Sequence, residues 1–231
     1  MFEYTYETRY GDYKDFESIK TSSILDMVQD ISTKNSEKRG YGIDKLREMN
    51  IAWLLKGIKI QMDSPAKPHC PITLKTAVKP PKGASSIRCC IIEQEGKAIG
   101  RTVAEWFIFD NEKKRPVRIP EEMLNSYEVC DFDDEFFNYI KPKDKAMEAA
   151  YTIRISNKEI DTNMHLNNTK SAELLMDALP FEYRFNTATI LYKRPAFLGD
   201  ELEVCVEKNE KGYYVHLQTK GKDVCVVGEF E

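Results

Sequence analysis

The fold is decided by the stretch Thr21-Ser22-Ser23-Ile24-Leu25-Asp26-Met27-Val28-Gln29-Asp30-Ile31. Its apolar residues recur at the helical spacing i, i+3, i+4 and i+7: Ile24, Met27, Val28 and Ile31. This pattern predicts a helix over Thr21–Lys38 with one apolar stripe. A helix with a single apolar stripe needs an apolar surface to lie on, and an antiparallel sheet with one apolar face supplies that surface.

A second helix of this kind is predicted over Asn168–Leu179, where Pro180 stops it. Most of the remaining chain alternates apolar and polar residues, as the strands of a half-buried antiparallel sheet do. Such strands are predicted over residues 56–62, 72–78, 87–94, 98–110, 202–207, 212–219 and 223–230. Glu95-Gly96 and Lys220-Gly221-Lys222 are predicted to be hairpin turns.

The two ends of the chain show a weak internal repeat. Each has a strand, a loop containing an aspartate, a long helix and then alternating strands, and Asp15 in the first loop is paired with Asp161 in the second. The repeat predicts an α+β fold with one half over residues 1–125 and a second half over 148–231. A connector over 126–147 joins them, and a short helix is predicted within it at Asp133–Tyr139.

Composition and charge argue against several classes of function for this protein. The 231 residues carry 34 Lys and Arg against 38 Asp and Glu, a net charge of -4 that does not favour nucleic-acid binding. The longest apolar run, Ile51–Leu55, is far shorter than the roughly 20 residues that cross a bilayer, so we expect a cytoplasmic protein with no membrane partner. The six cysteines include no C-x-x-C pair and are expected to be free thiols, with no metal site.

The stretch Asp161-Thr162-Asn163-Met164-His165 carries the chemistry that the sequence predicts. In an extended loop, the alternation of Asp161, Asn163 and His165 places an acid, an amide and an imidazole on one side. An imidazole can take a proton from water near neutral pH, and the N–H groups of the helix that begins near Asn168 could hold a developing oxyanion. These residue types suit the hydrolysis of an acyl compound.

The residues alone leave a structural alternative open. Asp161 could cap a turn, Asn163 could adopt a left-handed backbone conformation, and His165 could fill a polar position in the core.

The pattern Asp-x-Asn-x-His-x-x-Asn, which ends at Asn168, resembles the active-site segment of the plant and bacterial acyl-acyl carrier protein (acyl-ACP) thioesterases. The first half is similar to that family as well, and the resemblance extends over nearly the whole chain. The matching segments are Gly40-Tyr41-Gly42, Trp53-Leu54-Leu55, the Pro65 to Pro68 motif, Arg88, Glu105-Trp106-Phe107 and Arg115–Ile119.

The resemblance implies a double hotdog, in which two antiparallel sheets each wrap around one long helix. It implies that residues 161–165 are catalytic and that the first half shapes the acyl pocket. The implied activity is hydrolysis of fatty acyl-ACP in fatty acid biosynthesis, with no cofactor and no metal. The acidic carrier is expected to dock on Lys193 and Arg194, with Asn168 also binding substrate, and the protein is expected to be a monomer or homodimer.

One departure from the family concerns the base. The family has a catalytic Glu in a segment that here reads Tyr192-Lys193-Arg194-Pro195-Ala196-Phe197-Leu198-Gly199-Asp200, and Pro195 occupies the Glu position. Proline cannot accept a proton, and the Cys found after this Glu in plants is replaced by Ala196, so a cysteine mechanism is excluded there. The base is then His165, Asp161 or a carboxylate from elsewhere, such as Glu173. Reduced activity, an acyl-binding protein without hydrolysis, an acyl-CoA thioesterase and a hotdog dehydratase remain alternatives.

Overall fold

The computed structural model describes residues 1–80, 84–132 and 147–231, and the chain divides into two compact units. The first unit contains the described residues up to 132, and the second contains those from 147. The predicted helix at Asp133–Tyr139 lies outside the described residues.

The first unit is an antiparallel sheet with one long helix. Its elements are β1 (Phe2–Tyr6), α1 (Thr21–Lys38), α2 (Ile43–Glu48), β2 (Ile51–Met62), β3 (Ile72–Val78), β4 (Ser85–Gln94), β5 (Lys97–Asp110), β6 (Arg115–Val117) and α3 (Glu121–Ser126). The strands pair in the order β1-β3-β4-β5-β2, and β6 pairs with β5. Helix α1 packs on β1 and β3, and Ile24 and Ile31 of its apolar stripe are fully buried. The helix predicted over Thr21–Lys38 is confirmed.

A buried cation joins α1 to the sheet of the first unit. One guanidinium nitrogen of Arg88 donates to Asn35 Oδ1 at 3.0 Å and to Thr76 Oγ1 at 3.2 Å. Burial lowers the pKa of Arg88 because it disfavours the charged form. Since Asn35 is on α1 and the other two residues are on β4 and β3, these hydrogen bonds fix the position of the helix on the strands.

The second unit has the same plan with fewer elements. These are β7 (Tyr151–Arg154), α4 (Asn168–Asp177), β8 (Thr187–Tyr192), β9 (Glu201–Lys208), β10 (Tyr213–Thr219) and β11 (Val224–Phe230). The antiparallel strands pair in the order β8-β11-β10-β9-β7, and α4 packs on β10 and β11. A methyl group built on Gly228 would lie 3.1 Å from Leu175 Cδ1, so glycine allows the close approach of α4 to β11. The predicted second helix begins where expected and ends two residues early, at Asp177.

The predicted strands and turns are confirmed with small shifts of their ends. The largest difference is in β2, which begins at Ile51 and therefore takes in the apolar run Ile51–Leu55. Glu95 and Gly96 both have positive φ angles, 50° and 74°, as the type I′ turn of a two-residue hairpin requires. Lys222 closes the turn between β10 and β11 by donating from its N–H to Thr219 O at 2.8 Å.

All six cysteines are free thiols. Within the described parts of the chain, no helix is both long enough and apolar enough to cross a membrane.

Candidate active site

The segment that leads into the predicted catalytic loop is a 3-10 turn over Asn157–Glu159, closed by a capping box. Glu159 Oε2 accepts hydrogen bonds from the N–H of Ser156 at 2.7 Å and from its Oγ at 2.6 Å. Burial of the Glu159 carboxyl favours its neutral form, but these hydrogen bonds and the charge of Lys158 outweigh burial and lower the pKa of Glu159. The ionised carboxylate therefore helps to hold the start of the loop.

Residues Asp161 to His165 form a closed turn. The N–H of Asp161 donates to His165 O at 2.9 Å, and Asp161 Oδ1 accepts from the N–H groups of Asn163 at 2.8 Å and His165 at 3.2 Å. Met164 has a φ of 63°, in the left-handed region. The expectation of an extended loop is therefore wrong, because the Asp161 carboxylate bonds the backbone of its own loop and folds it back. Asn163 does not adopt the left-handed conformation that the structural alternative gave it, and Met164 does.

The His165 ring lies at the surface of this turn, half-buried, in edge-to-face contact with Phe197. The two ring centroids are 5.1 Å apart with an interplanar angle of 68°. Asn163 is exposed and Asp161 is half-buried. The imidazole is thus oriented by an aromatic neighbour and does not fill a core position.

A second loop, residues 193–200, lies against the first. Leu166 donates from its N–H to Ala196 O at 2.8 Å, and Phe197 donates from its N–H to Asp200 Oδ2 at 2.8 Å. Ile155 fixes the same loop to the end of β7, because its carbonyl accepts from Gly199 N at 2.9 Å and its N–H donates to Asp200 O at 2.9 Å. These bonds hold the loop from both sides.

Neither carboxylate that could replace the family glutamate is free of other contacts. Pro195 is exposed at the family's Glu position. Asp161 Oδ1 holds its own loop, and Glu173 Oε2 accepts from Lys170 Nζ at 2.7 Å, one turn earlier on α4. Within this turn, His165 provides the imidazole and Asp161 the carboxylate.

The first turn of α4 is capped by a side chain. Asn167 Oδ1 accepts hydrogen bonds from the N–H groups of Thr169 at 2.8 Å and Lys170 at 3.3 Å. The expectation that amides at the start of this helix hold an oxyanion is therefore wrong for these two residues. The carbonyl of Asn168 accepts from the Tyr192 hydroxyl at 3.0 Å, and burial raises the pKa of Tyr192. That bond fixes the start of α4 to the end of β8.

The basic residues predicted to bind the carrier lie on loop 193–200. Lys193 and Arg194 are exposed, and both donate from their N–H groups to Cys225 O, at 2.8 and 3.2 Å. The Arg194 guanidinium forms an ion pair with Asp223 at 2.8 Å, in which both side chains are more than half exposed. Such a pair contributes little to stability, so Arg194 can exchange this partner for another acid.

The first unit contains a loop with the same backbone contacts, which has an aspartate, Asp15, but no histidine or asparagine. Its Lys14 donates from its N–H to Ser18 O at 2.9 Å, as Asp161 does to His165. Ser18 therefore corresponds to His165. The alignment that pairs Asp15 with Asp161 is wrong by one position, because Lys14 stands opposite Asp161.

The neighbouring backbone contact is repeated too. Ile19 donates from its N–H to Ala66 O at 2.9 Å, in the same way that Leu166 donates to Ala196. Phe16, almost completely exposed, takes the place of Asn163. The two units thus share the same backbone hydrogen bonds in this loop, and the loop contains a histidine in the second unit alone.

Sequence reasoning missed three residues of this site. Asn167 and Glu159 had recognisable signals, since Asn167 precedes the apolar stripe of α4 and Ser156-x-x-Glu159 has the spacing of a capping box. Phe197 had no such signal, because its contact with His165 depends on the bond between the two loops. No group of three or more His, Cys, Asp and Glu side chains within the described ranges is placed to hold a metal ion.

Both halves of the chain match domains of one known protein family. The acyl-ACP thioesterase N-terminal domain matches residues 1–127, and the acyl-ACP thioesterase C-terminal domain matches residues 140–228. No curated protein sequence matches this chain.

Solved structures are similar over the full length. An acyl-ACP thioesterase from Bacteroides thetaiotaomicron is 20% identical with a TM-score of 0.89, and the match covers 99% of this chain and 96% of that chain. The 12:0-ACP thioesterase from Umbellularia californica is 14% identical with a TM-score of 0.85, and the match covers 100% of this chain and 96% of that chain. At these identities the likeness shows the fold.

Each of the two units has antiparallel strands and one long helix, which is the plan of the double-hotdog class, and the two matching thioesterase domains make the chain a thioester hydrolase. The predicted α+β double hotdog is confirmed. Because the two domain matches together span nearly the whole sequence, the chain belongs to the acyl-ACP thioesterase family. The resemblance found in the sequence and the enzyme class that it implied, thioester hydrolase, are confirmed with it.

Proposed function

We propose that this protein hydrolyses fatty acyl-ACP to a free fatty acid and the carrier thiol, with His165 as the base. One observation supports this assignment of the residues most directly. In a chain of this family, the Asp161 carboxylate holds the N–H groups of Asn163 and His165 in one closed turn, which leaves the imidazole at the surface against Phe197.

The reaction needs one water and no cofactor. The His165 imidazole takes a proton from the water as its oxygen attacks the thioester carbonyl carbon. The carbon–sulfur bond then breaks, and the imidazolium returns the proton to the leaving thiolate. Asn163 is the residue proposed to orient the water or the carbonyl through its side-chain amide, while Asp161 positions both residues through their backbone N–H groups.

His165 is proposed as the base because its imidazole lies at the surface of the turn, whereas Asp161 Oδ1 holds two backbone N–H groups and Pro195 has no acceptor in its side chain. Glu173 lies on α4, where it pairs with Lys170. A single general base typically contributes about 10²- to 10⁴-fold, so we expect slower turnover than an enzyme that has the family glutamate.

The acidic carrier is proposed to approach loop 193–200. Lys193 and Arg194 supply positive charge there, and Asn168 at the start of α4 is the proposed contact to the substrate. We propose that residues 1–125 shape the acyl pocket, that residues 126–147 connect the two halves, and that residues 148–231 are the catalytic half. The protein is proposed to act in the cytoplasm, in fatty acid biosynthesis. It is proposed to be a monomer or homodimer without nucleic-acid or membrane partners.

The test is release of free thiol from acyl-ACPs of different chain length. We expect turnover with at least one of them and a loss of about 10²-fold or more in kcat for His165→Ala. His69→Ala is the matched control, because His69 is an exposed histidine of the first unit that pairs with Tyr13, and its turnover should stay within about twofold of wild type. Absence of turnover with every substrate would refute hydrolysis, and full activity of His165→Ala would refute the role of His165.

Pro195 favours a second candidate, an acyl-binding protein that does not hydrolyse its ligand. It would retain a fatty acyl chain tightly and release no thiol in the same assay. Turnover of acyl-CoA in preference to acyl-ACP of the same chain length would instead indicate an acyl-CoA thioesterase.

A further inference from the structure

Three large apolar side chains are exposed on the two loops that meet at the proposed active site. Met164 is 64% exposed, Phe197 46% and Leu198 50%. The hydrogen bond from Leu166 to Ala196 joins the loop of Met164 to the loop of the other two. We call Met164, Phe197 and Leu198 the apolar lip. Large apolar side chains exposed on two adjoining loops, next to polar and charged residues, are typical of an interaction site.

The apolar lip is held in place before any partner binds. Phe197 is fixed by its N–H bond to Asp200 at 2.8 Å, and the loop after Leu198 is fixed by the bond from Gly199 to Ile155. Met164 has the left-handed conformation inside the closed turn of the catalytic loop. A surface that is already ordered loses little conformational entropy on binding, which favours affinity.

The charges around the apolar lip favour an acidic partner. Lys193 and Arg194 are exposed on the same loop, and a methyl group built on Gly199 would lie 4.0 Å from the guanidinium of Arg154. The acid of this loop, Asp200, is half-buried, and its Oδ2 accepts from the N–H of Phe197. Arg194 pairs with Asp223 at 2.8 Å in an exposed ion pair, and an acid of the partner can replace Asp223 in it. The cations Lys193, Arg194 and Arg154 therefore lie beside the apolar lip in a chain whose net charge is -4.

We propose that the apolar lip is the docking contact for the body of the acidic acyl carrier protein, in addition to the site that takes its acyl chain. This inference rests on the proposed function. Phe197 belongs to the apolar lip and also lies against the His165 ring, so a carrier bound there delivers its thioester beside the imidazole. The apolar contact supplies affinity, while Lys193 and Arg194 select an acidic partner.

The test is calorimetric titration of the full chain with carrier protein that bears the phosphopantetheine thiol but no acyl group. Leu198→Gln should weaken this binding at least fivefold, because it places an amide where the carrier presents apolar side chains. Ile43→Gln is the matched control, since Ile43 is an equally exposed aliphatic residue of the first unit, 54% exposed, and its variant should bind the carrier as wild type does.

The outcomes separate this proposal from the proposed function. If the carrier binds wild type and Leu198→Gln equally, or does not bind wild type, the apolar lip is not its docking contact, even when the enzyme hydrolyses acyl-ACP. If carrier binding depends on Leu198 but no acyl-ACP is hydrolysed, the docking contact stands and hydrolysis fails. Sedimentation that shows a dimer dissolved by Leu198→Gln, with carrier affinity unchanged, would assign the lip to a second copy of the chain and overturn the proposal.

Discussion

The N–H of Leu166 donates a hydrogen bond to the carbonyl oxygen of Ala196 at 2.8 Å. His165 comes one residue before the donor and Pro195 one residue before the acceptor, so this bond joins the loop of the imidazole to the loop where the family has its glutamate. A side chain at position 195 starts next to the turn that is proposed to be catalytic. Proline at this position has no carboxylate, and the backbone contact beside it is present.

Replacing this proline by glutamate tests whether the missing carboxylate is what limits the rate of the proposed site. Pro195→Glu should raise kcat for acyl-ACP about tenfold or more, because a carboxylate at this position can accept a proton from water or from His165. The loss of proline rigidity should cost about 0.4–1 kcal/mol in the free energy of unfolding, and Pro195 is exposed, so the variant should fold. Thiol release at saturating substrate measures the gain.

Pro195→Gln is the matched control for this gain. It has the length and hydrogen-bonding capacity of glutamate but cannot take a proton, so its kcat should stay near that of wild type. Equal rates for the two variants would mean that a carboxylate at this position does not reach the reacting water.

Asp161 is expected to act through its acceptor oxygen. Asp161→Asn keeps an Oδ1 that can accept from the N–H groups of Asn163 and His165, so its kcat should stay within about tenfold of wild type. Asp161→Ala removes the acceptor, frees the turn and should lower kcat by about 10²-fold. Thiol release by the two variants, compared at equal folded fraction, decides the matter. Equal losses would show instead that the negative charge is required.

Much of the fold could be predicted from the spacing of apolar residues, because each of the two long helices buries one apolar stripe. Ile24 and Ile31 are at helical spacing and are fully buried, so the pattern that predicts α1 is the pattern that packs it. The repeat was recognised, but its register was wrong. Matching Asp15 to Asp161 compares side chains, whereas the two turns are equivalent through the backbone bonds that Lys14 and Asp161 donate.

The site was less predictable than the fold because it depends on contacts between segments. The residue types of the 161–165 stretch indicated the chemistry, but the turn is made by one carboxylate bonding to two backbone N–H groups, and alternation along a strand does not describe that geometry. The contact of Phe197 with His165 requires two loops to meet. No periodic pattern in the sequence predicts a contact between two loops.

The N-cap of α4 gives a stability prediction. Asn167→Ala should lower the free energy of unfolding by about 1 kcal/mol, because the N–H groups of Thr169 and Lys170 lose their acceptor. Asn168→Ala is the matched control. It makes the same chemical change one residue later, outside the cap position, and should cost less than half as much in urea denaturation. If Asn168→Ala is as costly as Asn167→Ala, the cap is not the source of the loss.

Glu159 should make stability depend on pH. The pKa of Glu159 is lowered in the folded protein from its usual 4.5, so the ionised form stabilises the fold above pH 4.5 and this contribution is lost as the pH falls through the lower, folded pKa. Glu159→Gln should therefore cost about 2 kcal/mol in the free energy of unfolding at pH 7, and the difference from wild type should shrink below pH 4.5. Urea denaturation from pH 3 to 7 measures it, with the exposed Glu182→Gln as control. A difference that is constant with pH would show that the charge of Glu159 does not hold the capping box.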